Sequence, residues 1–156
     1  MSSRTSSESY VQHSRKYSHT DMTRMTIRWA APHEGPVIES LFLASQYLMA
    51  YWADWKRPLQ GNWILAETTC PIGCLMVNFG VPFGRLEYLV LLPDLSPILR
   101  ARTISRLYRA GLSTLRKAGS QIVNFDVRTN DFGWQHAVGK RGALCVGTGN
   151  FYIRKV

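Results

Sequence analysis

Hydrophobic and polar positions change their period several times along the chain, and each change marks a new element. The segment Thr26 to Ala31 is typical of a short strand, and apolar positions from Val37 to Phe42 then recur at helical spacing behind a proline-containing helix start. Turn residues separate the next three β-rich segments, which predicts an antiparallel meander. These three strands are expected at residues 62–67, 73–79 and 85–92.

The longest predicted helix runs from about Pro97 to Ala118 and ends at Gly119. One face carries aliphatic residues and Tyr108 and the opposite face carries arginines, so this helix should pack on the sheet. The remaining elements are expected to be a strand at 122–127, a helix at about 131–141 and paired strands at 143–146 and 150–154. The sequence predicts an α/β domain with a mixed, mostly antiparallel sheet of about six or seven strands flanked by helices.

The aromatic segment Tyr47 to Trp63 interrupts this order after the first helix and is expected to hold a second short helix. Two interpretations fit its composition. Its aromatic side chains could close one end of the core, or they could line a substrate mouth or a platform on which bases stack.

Residues 1–24 are predicted to be a flexible basic arm, and residues 25–156 the folded domain. The arm is rich in Ser and Thr and has almost no aliphatic side chain apart from Val11 and Met22. Such a segment buries too little apolar area to offset a backbone entropy of about 1–2 kcal/mol per residue. We therefore expect it to be mobile unless a partner orders it.

The chain carries 19 Lys and Arg against 10 Asp and Glu, a formal charge of +9. This balance favours a polyanionic partner, which could be nucleic acid, an acidic protein surface or a phosphate-bearing cofactor. A charged surface that only improves solubility fits the same numbers. The hydrophobic fraction of 46% is high enough to exclude disorder for the body of the chain.

The cysteines and the amino-terminal residues indicate in which cellular compartment the protein is found. Cys70, Cys74 and Cys145 are an odd number and have neither the spacing of a zinc site nor that of a disulfide framework. The polar start lacks the apolar region of a signal peptide, and no apolar run approaches the ~20 residues that span a bilayer. We expect a soluble protein in a reducing compartment, cytoplasmic or part of a virion, with no metal and no membrane partner.

The element order resembles that of the Gcn5-related N-acetyltransferase (GNAT) superfamily across residues 25–156. The start Met25-Thr26-Ile27-Arg28 is similar to the first strand of that family, and Phe125 to Asn130 resembles its fifth strand, which ends in Asn. Lys140-Arg141-Gly142-Ala143 stands where the family has a helix ending in Lys-x-Gly-Phe. In general style the chain is also similar to short, glycine-poor GNAT-like proteins of tailed phages, including virion components.

The resemblance implies that acetyl-CoA binds between the fourth and fifth strands. The family holds the cofactor's pyrophosphate on a glycine-rich loop that opens a helix, and here that position lacks glycine. The residues implied to contact the cofactor are Leu91, Leu92, Arg100, Ala101, Arg102, Thr103, Ile104, Ser105 and Asn130. However, Ser96-Pro97 is itself a good helix start. If the helix begins there, the backbone N–H groups of residues 100–105 are already used inside it.

Acetyl transfer to an amine needs a base, and the resemblance implies a Glu on strand four or nearby. Glu87 is the first candidate and Glu67, at the end of strand two, the second. The competing interpretation of Glu87 is an ordinary surface ion pair with Arg85. The family's acid is a Tyr whose position is taken here by Val138; His136 or Tyr152 could substitute, and Tyr108 is expected to pack in the core.

The arginines of the long helix allow three interpretations: contact with coenzyme A phosphates, contact with nucleic-acid phosphates, or a solvated surface. Two functional hypotheses follow. The first is an acyl-CoA-dependent N-acyltransferase acting on an unknown amine. The alternative is a catalytically inactive GNAT-fold component of a virion or a nucleic-acid-associated assembly, held by the basic arm and by Arg102, Arg106 and Arg109.

Overall fold

The computed structural model describes residues 24–45, 61–126, 132–145 and 151–155. The helices are α1 (Gly35–Ser45), preceded by a 3-10 turn at Pro32–Glu34, then α2 (Pro97–Lys117) and α3 (Phe132–Gly139). The strands are β1 (Thr26–Trp29), β2 (Trp63–Glu67), β3 (Pro71–Asn78), β4 (Phe83–Leu91), β5 (Ile122–Asp126), β6 (Leu144–Cys145) and β7 (Phe151–Lys155).

The strands form a seven-stranded sheet in the order β1-β2-β3-β4-β5-β7-β6. Every neighbouring pair is antiparallel except β4 and β5, which are parallel. The predicted mixed, mostly antiparallel sheet flanked by helices is confirmed. The predicted arm apart from Arg24, the aromatic segment before Gly61 and the Gly147–Gly149 turn lie outside the described residues.

Strand β2 shows why the central segments are apolar at successive positions. Ile64 and Ala66 belong to one core cluster, and Trp63 and Leu65 belong to another. Successive side chains of a strand point to opposite faces, so a run that is apolar throughout indicates a sheet covered on both sides. Helix α2 covers the first face and α1 the second, as their contacts with β3 show.

Helix α2 begins at a proline and is capped by the residue before it. The Ser96 hydroxyl accepts a hydrogen bond from the Leu99 N–H at 3.3 Å, and Pro97 occupies the first helical position. A Cβ at Gly111 would lie 2.7 Å from Cδ2 of Leu86 and 3.2 Å from Cδ2 of Leu75. Glycine in the middle of a helix costs about 1 kcal/mol of stability relative to alanine. We ascribe the glycine at this position to the close approach of helix and sheet, which leaves no room for a side chain.

None of the helices among the described residues combines the length and the apolar character that crossing a bilayer requires.

Candidate active site

Strand β4 contains a β-bulge at Tyr88 and Leu89. Cys74 of β3 lies opposite Val90 while Met76 lies opposite Glu87, so Leu75 faces two residues of β4 instead of one. Tyr88 has a φ of 52°, in the left-handed region that non-glycine residues adopt uncommonly. An extra residue reverses the alternation of faces beyond it. Leu86 accordingly packs in the α2-side core, whereas Val90, four residues later, packs in the α1-side core.

The bulge coincides with the separation of β4 from β5. Their parallel ladder runs from Phe83 opposite Ile122 to Leu86 opposite Phe125, and β4 then continues to Leu91 along β3. A small pocket, with a cavity volume of about 20 Å³, lies at this point. It is lined by Leu75, Leu86, Glu87, Tyr88, Leu89, Tyr108 and Phe125. The sheet therefore offers a cleft at the place where two parallel strands diverge.

Glu87, the first candidate base, is part of this pocket. Its side chain is 16% exposed. The Asn78 side-chain amide donates to Oε2 of Glu87, and the Arg85 guanidinium lies 3.2 Å from Oε1. The predicted contact with Arg85 is thus present, but the carboxylate is mostly buried and oriented by a second donor. Arg85 is 52% exposed, whereas the hydrogen bond from Asn78 to Glu87 is partly buried.

Glu67, the second candidate base, belongs to a different cluster. The Arg28 Nε donates to its Oε2 at 2.7 Å, and both terminal nitrogens of Arg28 donate to Glu34 at 2.7 Å. The Glu34 carboxylate also accepts from the Ala31 N–H. This ion-pair cluster joins β1 to β2 and to the turn before α1. Its hydrogen bonds raise the pKa of Arg28 and lower the pKa of Glu34 to about 2.

Replacing Glu34 by Gln should give a stability loss that depends on pH. The pKa of Glu34 in the folded chain, about 2, lies below its ordinary value of 4.5. Its stabilising contribution is therefore complete above about pH 4.5 and disappears as the pH falls through 2. The Tm difference between wild type and Glu34→Gln, followed by circular dichroism, should be largest near neutral pH and shrink towards pH 2. Glu39→Gln is the control, because Glu39 has no ion pair among the described residues.

The residues predicted for the cofactor divide into two groups in the structure. Leu91 is buried at the end of β4, and the Leu92 N–H donates to the Ile72 carbonyl at 3.0 Å. The Arg100 guanidinium donates to the carbonyls of Leu92 and Pro93 at 3.2 and 2.8 Å. Arg100 thereby fastens the first turn of α2 to the end of β4, close to the cleft.

Residues 100–105 lie inside α2, which begins at Pro97. The Arg100 N–H donates to the Ser96 carbonyl at 2.8 Å. Thr103 is fully buried and its hydroxyl donates to the Leu99 carbonyl, while Ile104 packs against the core. Ala101 and Arg102 are exposed and Ser105 is half-buried. Because the amides of this segment are used by the helix, contacts with a cofactor phosphate would have to come from side chains.

Of the two candidates for the acid, His136 does not line the pocket. His136 is exposed on α3, and Val138 is fully buried. Asn130 and the side chain of Tyr152 lie outside the part of the chain that the structure describes. Two phenols that the sequence did not assign to the site, those of Tyr88 and Tyr108, belong to residues that line the pocket with Glu87.

Tyr108 shows how a core position can also be a site position. It is 2% exposed and its ring packs edge-on against Phe125 at 5.7 Å between centroids. Helical spacing identifies it as a core residue, which is correct, but gives no indication of the neighbouring cleft. Across the described residues, no group of three or more His, Cys, Asp and Glu side chains is arranged to hold a metal ion.

Solved structures with the same architecture include proteins described as acetyltransferases of the GNAT type. The chain is similar to yncA from Salmonella typhimurium, solved with its cofactor acetyl-CoA, at 13% identity and a TM-score of 0.66 over 84% of this chain and 93% of that one. It is also similar to the paia N-acetyltransferase of Thermoplasma acidophilum in complex with coenzyme A, at 12% identity and a TM-score of 0.66 over 85% and 99%.

A third similar structure is a GCN5-related N-acetyltransferase from Rhodopseudomonas palustris, at 15% identity and a TM-score of 0.63 over 85% and 96% of the two chains. No family model matches the sequence, and no curated protein matches it. At these identities the likeness establishes the fold: the chain has the mixed α/β fold of the GNAT acyl-CoA N-acyltransferases.

Proposed function

We propose that the protein is an acyl-CoA-dependent N-acyltransferase that acts on an amine. The observation that carries the proposal is the bulge at Tyr88, which lies where β4 leaves β5 and where the pocket opens. Similar structures of this fold contain acetyl-CoA or coenzyme A. Acetyl-CoA is the proposed cofactor, and when bound it supplies an acyl group activated as a thioester.

The pocket lining has the apolar character that the arm of such a cofactor needs, and the pocket would have to widen between β4 and β5 to admit it. Leu75, Leu86, Leu89 and Phe125 provide apolar walls, and the strand end at Leu91 and Leu92 continues from the pocket towards α2. The phosphates are proposed to lie near the first turn of α2, which Arg100 holds against the end of β4. A helix N-terminus favours negative charge through its dipole.

Glu87 is the proposed base. Asn78 keeps its carboxylate in place at the pocket wall, and Arg85 can move into solvent and leave Oε1 for a proton. The proton would come from the ammonium group of the acceptor, since only the neutral amine is nucleophilic. A positioned general base contributes about 10²–10⁴ to the rate.

A calorimetric titration with acetyl-CoA at low and high salt tests the proposal. Micromolar binding of one cofactor per chain that persists at high salt is the expected result, because pocket contacts are screened less than surface charge. Leu89→Trp, which fills the pocket, should abolish binding, and Leu144→Trp, at an exposed position of β6, should leave it unchanged. Absence of binding, or binding that vanishes as salt rises, would mean that the fold has lost its cofactor and acts as a scaffold.

A further inference from the structure

A second pocket lies on the outer side of α2, next to the start of β1. It is lined by Met25, Arg102, Ser105, Arg106 and Arg109, and has a cavity volume of about 250 Å³. We refer to these five residues as the arginine groove. It shares no residue with the pocket at the bulge. Both pockets are lined by α2, but Tyr108 of the first is buried against the sheet whereas Arg109 of the groove is exposed, so the two sites lie on different faces of the helix.

All charged residues of α2 are positive. Its 21 residues include six Lys and Arg and no Asp or Glu. The three arginines of the groove are exposed and form no ion pair among the described residues. Arg106 donates to the Met25 carbonyl, which fixes the start of the folded domain beside the groove. Solvated helices usually mix both signs at neighbouring turns, because opposite charges there are stabilising.

The positive charges also follow a line along the helix. Arg102, Arg109 and Arg116 are spaced by seven residues, two helical turns, and Arg106 lies between the first two. At 1.5 Å per residue, the row from Arg102 to Arg116 is about 21 Å long. A small anion would contact one or two of these side chains. A row of this length matches a polymer of phosphates, since duplex nucleic acid carries about a dozen charges over the same distance.

We propose that the arginine groove and the row that continues it to Arg116 bind the phosphate backbone of double-stranded nucleic acid without reading its sequence. Guanidinium and hydroxyl groups, here with Ser105 between the arginines, are the usual donors to phosphate oxygens. Single-strand binding relies on aromatic side chains against which bases stack. Among the described residues, the lining of the groove contains no aromatic side chain, which favours a duplex.

Fluorescence anisotropy with a labelled DNA duplex of about 20 base pairs, longer than the row of arginines, tests this proposal. The full-length protein is compared with the groove variant Arg109→Gln/Arg116→Gln and with the charge-matched control Lys140→Gln/Arg141→Gln on the turn after α3. In the groove variant, affinity should fall roughly tenfold per arginine at 0.1 M salt, and the slope of log K against log salt should decrease by about 2. The control should lose no more than a few-fold.

The proposal would be overturned by no duplex binding, by equal losses in the groove variant and the control, or by competition from coenzyme A at concentrations that fill the other pocket. Much tighter binding of a single strand of the same length would also contradict it. Acetyl-CoA titration of the groove variant is a separate readout. The acetyl-CoA affinity of the groove variant should equal that of the wild type. A failure of the nucleic-acid proposal can therefore be told apart from a failure of the acyltransferase proposal.

Discussion

Glu87→Gln is expected to lower acetyl transfer by about 10²–10⁴-fold while acetyl-CoA still binds. Gln has nearly the same shape and can still accept the hydrogen bond from Asn78, but it cannot take a proton from the acceptor. The rate would be measured as thiol released from acetyl-CoA in the presence of a panel of amines and lysine peptides. Calorimetry with acetyl-CoA and the thermal unfolding midpoint serve to show that the cofactor site and the fold are retained.

Glu67→Gln is the matched control for this experiment, because it makes the same chemical change at the other candidate base. Glu67 is held by Arg28 in the ion-pair cluster of β1 and β2, and it does not line the pocket. Its substitution should reduce stability and leave turnover within a few-fold. If Glu67→Gln removes turnover and Glu87→Gln does not, the assignment of the base is wrong. If neither matters, base catalysis by these two carboxylates is excluded.

Trp63→Ala should lower the free energy of unfolding by about 3–5 kcal/mol, as for other buried aromatic residues truncated to alanine. Trp63 is 2% exposed on β2, and its ring packs edge-on against Phe42 at 5.6 Å between centroids. Tyr88 of the bulge contacts the same two rings at 6.2 Å. Loss of the indole therefore leaves a cavity directly beside the bulge. Urea unfolding followed by tryptophan fluorescence and circular dichroism measures the effect.

Trp29→Ala provides the comparison at an exposed site. Trp29 is 46% exposed on the edge strand β1 and contacts Phe79 at 6.2 Å between centroids. Its truncation should cost no more than about 1 kcal/mol, because partly solvated aromatic contacts contribute little beyond their buried area. Equal losses in the two variants would mean that the cluster of Phe42, Trp63 and Tyr88 does not support the α1 face of the sheet.

The fold could be predicted because helices and strands differ in the spacing of their hydrophobic residues and are separated by residues that favour turns. Strands β2 to β4 are separated by residues that favour turns, and α2 combines an apolar stripe with Ser96 and Pro97 at its start and Gly119, at a φ of 92°, after its end. Helix α2 begins at Pro97 as the Ser-Pro pair indicates, so the amides of residues 100–105 are inside it. These features are local in sequence, and local features determine helix ends.

The bulge could not be predicted, and with it most of the candidate site. The β4 sequence Tyr88-Leu89-Val90-Leu91 has no polar position, and its side chains pack alternately into the two core clusters, so the sequence shows no alternation whose interruption would reveal an extra residue. Glu87 is a candidate because the resemblance to the GNAT superfamily implies a Glu base on strand four or nearby. Its hydrogen bond with Asn78 depends on the pairing of β3 with β4, which a single sequence does not provide.

The extra residue at Tyr88 also affects how this chain is compared with others. Before the bulge, even-numbered residues of β4 such as Leu86 face the α2 side of the sheet. After it, even-numbered residues such as Val90 face the α1 side. A sequence alignment without a gap at the bulge is therefore shifted by one residue on one side of it. On that side it pairs residues that face α1 with residues that face α2. Homologues that lack the insertion would have an uninterrupted strand, and their divergence from this protein should be judged separately on each side of position 88.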